Sequence, residues 1–348
     1  MRRFFYSMAE LINIKTIGTH NGTFHCDDAL ACYMLKTLPE CNEAKIIRSR
    51  DLKVLDECDI IVDVGAVFDP SKHRYDHHQR EFKETMHSLS SGKYQWSTKL
   101  SSAGLVYFHF GHRVISKISS LPLEDPNLEI IYRKMYEQFM EEIDANDNGI
   151  SQCDGQPKFK ITTTVSARVS YLLPAWNEVG RTFDEIFPEA MELVGSEFTS
   201  RVKSLINAWL PTKYIVEQAL MHSLEIDPSG EIILLSQYCP WKDHLFDIEI
   251  ARRLIGTVKY VLYEGEQGMW RIQCVAKQFQ HFVNRKSLPE PWRGLRDSEL
   301  SEVSGIHGCT FVHSSGFTGG NVSKEGVILM AKRALEFEEE LCEVKKIE

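Results

Sequence analysis

The chain has 348 residues, 43% of them apolar and 26% charged, with a formal charge of −9. That length predicts about two domains, because single cores stop growing near roughly 250 residues, and the composition excludes a disordered chain. No apolar run reaches the roughly 18 residues of a membrane span, and the acidic balance excludes coating nucleic acid by bulk positive charge.

The opening MRRFFYSM carries Arg2 and Arg3 and no acid before Glu10, so residues 1–14 read as a segment compatible with a short organellar presequence. INIKTI (12–17) alternates as a first strand, and the loop THNGTFHCDD leads into a helix with Leu30, Tyr33, Met34 and Leu38 on one face. Residues 44–48 form a second strand. DIIVDVG (59–65) is a third, its apolar run suited to burial on both faces. Residues 100–118 and 127–143 read as helices, the latter with the stripe Leu128, Ile131, Tyr132, Met135, Phe139 and Ile143. A helical stretch at 189–222, broken at Pro211, is expected to link two domains. Beyond it, 231–236, 257–264, 269–275 and 308–313 read as strands, with GEQG turning a hairpin. SSGFTGG then leads into a closing helix from about 323, and the acids from Glu336 read as one charged helix face. The fold class is α/β, with units at 15–188 and 223–348 around the linker 189–222. Nine cysteines without a C-x-x-C pair point to a reducing compartment, with Cys26, Cys32, Cys274 and Cys309 as buried hydrophobes.

The chemistry lies in the first half. Eight of the thirteen histidines fall before residue 113 and keep company with aspartates at strand ends. Four clusters stand out: His20-x4-His25-x-Asp27-Asp28, Asp63 before Gly65, Asp76-His77-His78, and Asp144-x2-Asp147-x-Gly149. Loops at the carboxyl edge of an open α/β sheet are where ligands bind, so the first two should share a crevice. A carboxylate inside IIVDVG needs compensation that a metal supplies. Imidazole and carboxylate without thiolate favour manganese or magnesium over iron or zinc. The donor set exceeds the need of one ion and suits a pair bridged by one carboxylate, about 3.5–4 Å apart, of the kind that activates water for attack on a phosphoryl group. Asp147 reads as turn chemistry in DANDNG. His73, His109 and His112 read as structural.

At Asp76-His77-His78 the sequence resembles the DHH phosphoesterase superfamily, and within it the MYG family (melanocyte proliferating gene family). The matching stretches include GTHNGTFHCDDALA, DIIVDVGAVFDPSKHRYDHHQR, TKLSSAGLVYFHFG, EEIDANDNGIS, LPEPWRGLRD and GIHGCTFVHSSGFTGG, between residues 16 and 320. The resemblance implies a DHH-type catalytic domain (15–188) with a parallel sheet, and a smaller α/β substrate-binding domain (223–348). It also implies a two-ion, manganese- or magnesium-dependent phosphodiesterase, similar to 3′-to-5′ RNA exonucleases of the mitochondrion and nucleus, with the cytoplasm as the alternative location. His20, His25, Asp27, Asp63, His77 and Asp144 are the implied metal ligands. Asp63 is the bridge, and the H-x-D spacing favours Asp27 over Asp28. Asp63, Asp76 and His78 are the implied catalytic residues, His78 contacting the scissile phosphate.

In the second half, His313, Gly316, Gly319 and Gly320 stand where the superfamily has a glycine-rich segment, and such glycines could cradle a phosphate at a helix start. Residues 277–296 interleave Lys277, Arg285, Lys286, Arg293 and Arg296 with Phe279, Phe282 and Trp292, a composition suited to phosphate contact and base stacking. Arg168 reads equally as a phosphate contact or an internal ion-pair partner. The expected partner is RNA or a short oligonucleotide. Two other functions stay open: a small-molecule phosphohydrolase, and a metal-stabilised RNA-binding protein without activity.

Overall fold

The computed structural model describes residues 14–277 and 280–338, without the side chains of 280–282. The presequence reading, the side chains of Phe279 and Phe282 and the acidic end beyond residue 338 lie outside the described residues. The chain divides after Ile206 into two compact units. Among the described residues no helix is long and apolar enough to cross a membrane.

In the first unit β1 (Thr16–Thr19) runs parallel between β2 (Lys45–Arg48) and β3 (Ile60–Val62). Ile60, Ile61 and Val62 are all buried, as their unbroken apolar run requires. Two strands lie outside the sequence expectations, β4 (Phe68–Asp69) and β5 (Arg74–Tyr75), because a two-residue strand has no alternation to read. The sheet order is β2-β1-β3-β5-β4, parallel throughout except at the β4 edge.

α1 (Cys26–Thr37) starts where His25 caps it, and the Asp28 carboxylate accepts the His25 backbone N–H at 2.9 Å. α2 (Ser102–Ser119) packs on α1 and is apolar nearly all round in its first half, as a helix buried in a core must be. The expected stripe from Leu128 to Ile143 is buried along its whole length. It runs over α3 (Pro126–Met135), a π turn (Tyr136–Met140) and α4 (Glu141–Asp147). π turns inserted in helices concentrate at functional sites. α5 (Val165–Ser170) and α6 (Phe183–Ser204) complete the unit's helices used below.

The stretch 189–222, expected as a linker, is shared between the units: α6 packs on α1, whereas α7 (Leu210–Met221) contributes Val216 and Ala219 to a core of the second unit. Pro211 sits in the first turn of α7, directly after a π turn at Leu205–Trp209. The second unit's sheet has the order β11-β12-β8-β7-β6. β6 (Ile232–Leu234) is parallel to β7 (Tyr260–Glu264), and β7 turns at Glu266–Gly268 into antiparallel β8 (Trp270–Cys274), the expected hairpin. A two-stranded ribbon, β9 (Ala276–Lys277) and β10 (Gln280–Asn284), stands beside it in sequence.

Two expectations for this unit are corrected. Gly319 and Gly320 do not open a helix: they lie in β12 (Thr318–Asn321), paired on one side with β11 (Cys309–Val312) and on the other with β8. A Cβ on them would lie 2.9 Å from the Phe311 carbonyl oxygen and 2.9 Å from that of Trp270, so close strand approach explains the glycines. The closing helix, α8 (Lys324–Glu336), is capped instead by Ser323. The segment 277–296 also differs from its composition. Trp292 is buried, and Arg285 forms a bidentate pair with buried Glu249, both N···O distances 2.7 Å. Lys286 donates to the Leu335 carbonyl at 2.5 Å and Arg293 to that of Leu288 at 2.9 Å. Arg285→Ala is therefore expected to strand the Glu249 carboxylate and cost about 3–5 kcal/mol of stability, read as a lowered thermal transition. An unchanged transition would show the pair to be dispensable.

Candidate metal centre

Three adjacent parallel strands end at one edge, and each hands its next residues to the site. His20 follows β1, Asp63 follows β3, and Asp76-His77-His78 follow β5. Asp63 leaves its strand with φ 58°, a left-handed conformation that aspartate tolerates better than most residues. Such backbone strain is concentrated where function holds it in place.

Four acids and four imidazoles converge there. His20 Nε2 lies 3.2 Å from both Asp28 Oδ2 and Asp63 Oδ2. His77 Nε2 lies 3.4 Å from Asp63 Oδ1 and 3.1 Å from Asp147 Oδ2, and His78 Nδ1 lies 3.6 Å from Asp63 Oδ1. Three sets of donor atoms have all members within 4.8 Å of one another: His20/His25/Asp63, Asp63/His77/His78 and His25/Asp27/Asp147. Asp63 joins the first two sets, as a bridging carboxylate would.

The residues fit a metal for a physical reason. Asp27 is fully buried, yet among the described residues neither of its carboxylate oxygens has a hydrogen-bond partner, and neither does His77 Nδ1. A buried carboxylate left in that state is costly, and a divalent cation is the group that would satisfy it. Asp28 differs from Asp27 in that its Oδ1 accepts the backbone N–H groups of His25 and Ala29, at 2.9 and 2.8 Å.

Surrounding groups hold the donors in place. Ser102 donates to Asp63 Oδ1 at 3.0 Å. Asp76 is buried and accepts the Ala66 N–H at 2.6 Å through Oδ2, while its Oδ1 lies 2.7 Å from His78 Nδ1. The Arg50 guanidinium lies 3.3 Å from His20 Nδ1. A cleft of about 420 Å³ opens over this floor, lined by His25, Asp27, His77, His78 and Asp147 together with Lys99, Asn148, Ser166 and Ser170.

Asp144 is not among the converging donors. Its Oδ1 accepts from the Ser101 N–H at 3.0 Å and the Ser101 hydroxyl at 2.7 Å, and its Oδ2 accepts from Tyr136 at 2.8 Å. Gly104 makes room for it, since a Cβ there would lie 2.3 Å from Asp144 Oδ1. Asp147, one turn later on α4, faces His77 instead. The sequence reading missed Asp147 and the tandem Ser101-Ser102, because the partners that separate the two acids lie about forty residues away in TKLSSAG. The i, i+3 spacing of Asp144 and Asp147 was the one local signal that both could face inward.

The electrostatics reflect an acid cluster without a compensating ion. Burial opposes the charged form of His20, but Asp28 and Asp63 outweigh it and carry the pKa to about 10. His77 is carried to about 9 against burial by Asp147 and Asp63. Burial and then the charges of Asp63 and Asp147 push Asp27 well above the carboxylate range, whereas His20 and His77 overcome burial to hold Asp63 below it. Asp144 rises to about 7 through burial. The Asp76 hydrogen bond raises His78.

Above about pH 6.5 these raised groups leave the folded chain, without bound metal, holding more protons than the unfolded one, so their contribution to stability falls as pH rises further. Asp144 loses its contribution between its ordinary 3.8 and about 7. The two histidines are fully favourable below 6.5 and lose theirs through about 9 and 10. In chelator, the thermal transition is expected to drop from pH 6 to pH 10, and manganese should flatten the curve. A transition that is flat or rising in chelator would contradict these proton assignments.

The remaining expected residues lie elsewhere. Arg168 pairs with Glu197 at 3.0 Å. Arg285, Lys286 and Arg293 line a cleft of about 650 Å³ in the second unit, held as described above. His313 is exposed, 2.9 Å from the Ser315 hydroxyl, and Gly316 has φ 70° in the turn before β12. His112 stacks on Tyr132 and lies 2.9 Å from Glu129, a structural role, and His73 and His109 pack in an aromatic group with Tyr75 and Phe110.

Comparison with known proteins agrees with the match in sequence. No solved structure matches the chain. The MYG1 exonuclease of Bos taurus is 53% identical over 321 residues, covering 92% of this chain and 84% of the relative. That of Homo sapiens is 51% identical over 331 residues, covering 94% and 88%. A MYG1 protein of Caenorhabditis elegans is 48% identical over 328 residues, covering 93% and 96%. The profile of the uncharacterised protein family UPF0160 spans residues 16–335. The chain therefore belongs to the MYG1 exonuclease family (UPF0160).

Proposed function

We propose that the protein is a divalent-metal-dependent phosphodiesterase that removes nucleotides from the 3′ end of RNA, with manganese, or magnesium, as a pair of ions. The observation that carries this reading is buried Asp27, with both oxygens unpartnered, facing a cleft beside Asp63, His77 and Asp147. The names of the bovine and human relatives, both exonucleases, support the reaction class. Residence in the mitochondrion and nucleus belongs to the same reading and rests on family resemblance.

His20, His25, Asp27, Asp63, His77 and Asp147 would hold the ions. When bound, divalent ions lower the pKa of water and withdraw charge from a phosphoryl group. The chain's own residues do the rest. Asp76 fixes the His78 ring and favours its protonated form, so His78 can donate to a phosphoryl oxygen as charge builds in the transition state. Lys99 supplies a further cation to the cleft's lining, which an entering phosphate would meet. Ser102 keeps Asp63 oriented.

The reading is tested with a 5′-labelled single-stranded RNA. Manganese should yield a ladder that shortens from the 3′ end, and chelator should stop it. No shortening with manganese, magnesium or zinc would reject the reading.

A further inference from the structure

The segment expected from composition to stack bases, 277–296, buries Trp292 and spends Arg285 on Glu249. A different segment, in the first unit, has the properties that one lacks. Residues 155–177 hold Lys158, Lys160 and Arg168, the last paired with Glu197, and no carboxylate of their own, in a chain whose formal charge is −9. Lys158 and Lys160 are exposed and have no ion pair among the described residues. Phe159 lies between them, 73% exposed; Tyr171 is 73% exposed and Trp176 97% exposed. Single exposed apolar side chains are ordinary, but three large rings this open to water within eighteen residues mark the segment as a candidate contact surface.

The place of these rings in the chain says which partner. Between them lies α5, whose Ser166 and Ser170, one helical turn apart, line the cleft that also holds Asp27 and His77. Tyr171 directly follows Ser170. Phe159 is seven residues before Ser166, so at most about 25 Å of chain separates them. Tyr171 therefore adjoins the cleft's wall, Phe159 and Trp176 lie within seven residues of that wall along the chain, and Lys158 and Lys160 carry the sign that attracts a phosphate backbone.

We propose that residues 158–176 form a stacking surface for single-stranded nucleic acid, on which Phe159, Tyr171 and Trp176 hold unpaired bases of the strand whose end lies in the cleft. It rests on the nucleic-acid reading above and adds where the strand is held. Base stacking on an aromatic side chain contributes about 1–3 kcal/mol per base and tolerates any sequence, since every base has a π face. A duplex, its bases already stacked on one another, gains nothing from these rings.

The experiment is fluorescence polarisation with a labelled twelve-nucleotide RNA in chelator, so that binding is read without cleavage. Phe159→Ala/Tyr171→Ala/Trp176→Ala should raise the dissociation constant at least about tenfold, the effect of 1.4 kcal/mol or more. Trp176→Phe, which keeps a ring, should bind nearly as wild type does, and duplex of the same sequence should bind weakly to both. All three residues are exposed, so the triple variant should keep the wild-type thermal transition. An unchanged dissociation constant for the triple variant would overturn the proposal. So would wild-type self-association that disappears in the triple variant while RNA binding persists, because the rings would then serve a protein interface. Wild type that binds through these rings yet cuts nothing with manganese would instead reject the nuclease reading and leave the stacking surface standing.

Discussion

Asp63→Asn is expected to lower manganese-dependent RNA shortening at least about a thousandfold, a loss of roughly 4 kcal/mol of transition-state stabilisation. The substitution is chosen to spare the fold. Asparagine tolerates the left-handed φ of 58° at this position and still accepts the Ser102 hydroxyl bond. What it removes is the charge that faces His20 at 3.2 Å and His77 at 3.4 Å. Both donor sets that share Asp63 lose their bridge at once, so the effect exceeds that of losing a peripheral ligand. The measurement is the initial shortening rate beside a thermal melt. A variant that melts normally and keeps more than a tenth of the activity would show that Asp63 does not bridge.

Asp147→Asn and Asp144→Asn should behave oppositely although they sit one turn apart on α4. Asp147→Asn removes a group 3.1 Å from His77 Nε2 and should weaken manganese binding by more than the 10–100-fold typical of outer-sphere partners. Asp144→Asn should change stability by about 1 kcal/mol at most and manganese affinity by little. Burial pushes the Asp144 carboxyl up to about 7, so a substantial fraction of it is neutral near pH 7. Its Ser101 bonds survive in the amide, and the Tyr136 hydroxyl can turn to accept. Calorimetric titration with manganese measures both. A large loss at position 144 with little at 147 would restore the assignment that the family motif implies.

That exchange of roles marks where the sequence stops being readable. Parallel strands ending in His20, Asp63 and Asp76-His77-His78 were legible because long apolar runs and strand-end polar residues are local patterns. The buried stripe from Leu128 to Ile143 was legible for the same reason. What separates Asp144 from Asp147 is a hydrogen bond from Ser101, forty-three residues away, which no window along the chain contains. Composition misled in the second unit likewise. Cations and aromatics between 277 and 296 look like a nucleic-acid surface until burial of Trp292 and the Arg285–Glu249 pair are known. The glycines of SSGFTGG look like a phosphate loop until β12 is seen to need them for close strand pairing. Exposure, not residue type, distinguishes Phe159, Tyr171 and Trp176 from core aromatics, and exposure is a property of the fold.

The central claim is that buried Asp27, with Asp63, His20, His77 and Asp147, is arranged to hold a pair of divalent ions. Anomalous difference density from crystals grown with manganese tests it most directly. Two peaks about 3.5–4 Å apart, with Asp63 touching both and Asp27 and Asp147 within coordination distance, are the expected result. Absence of density at that edge of the sheet, or a single ion held without Asp27 and Asp63, would contradict it.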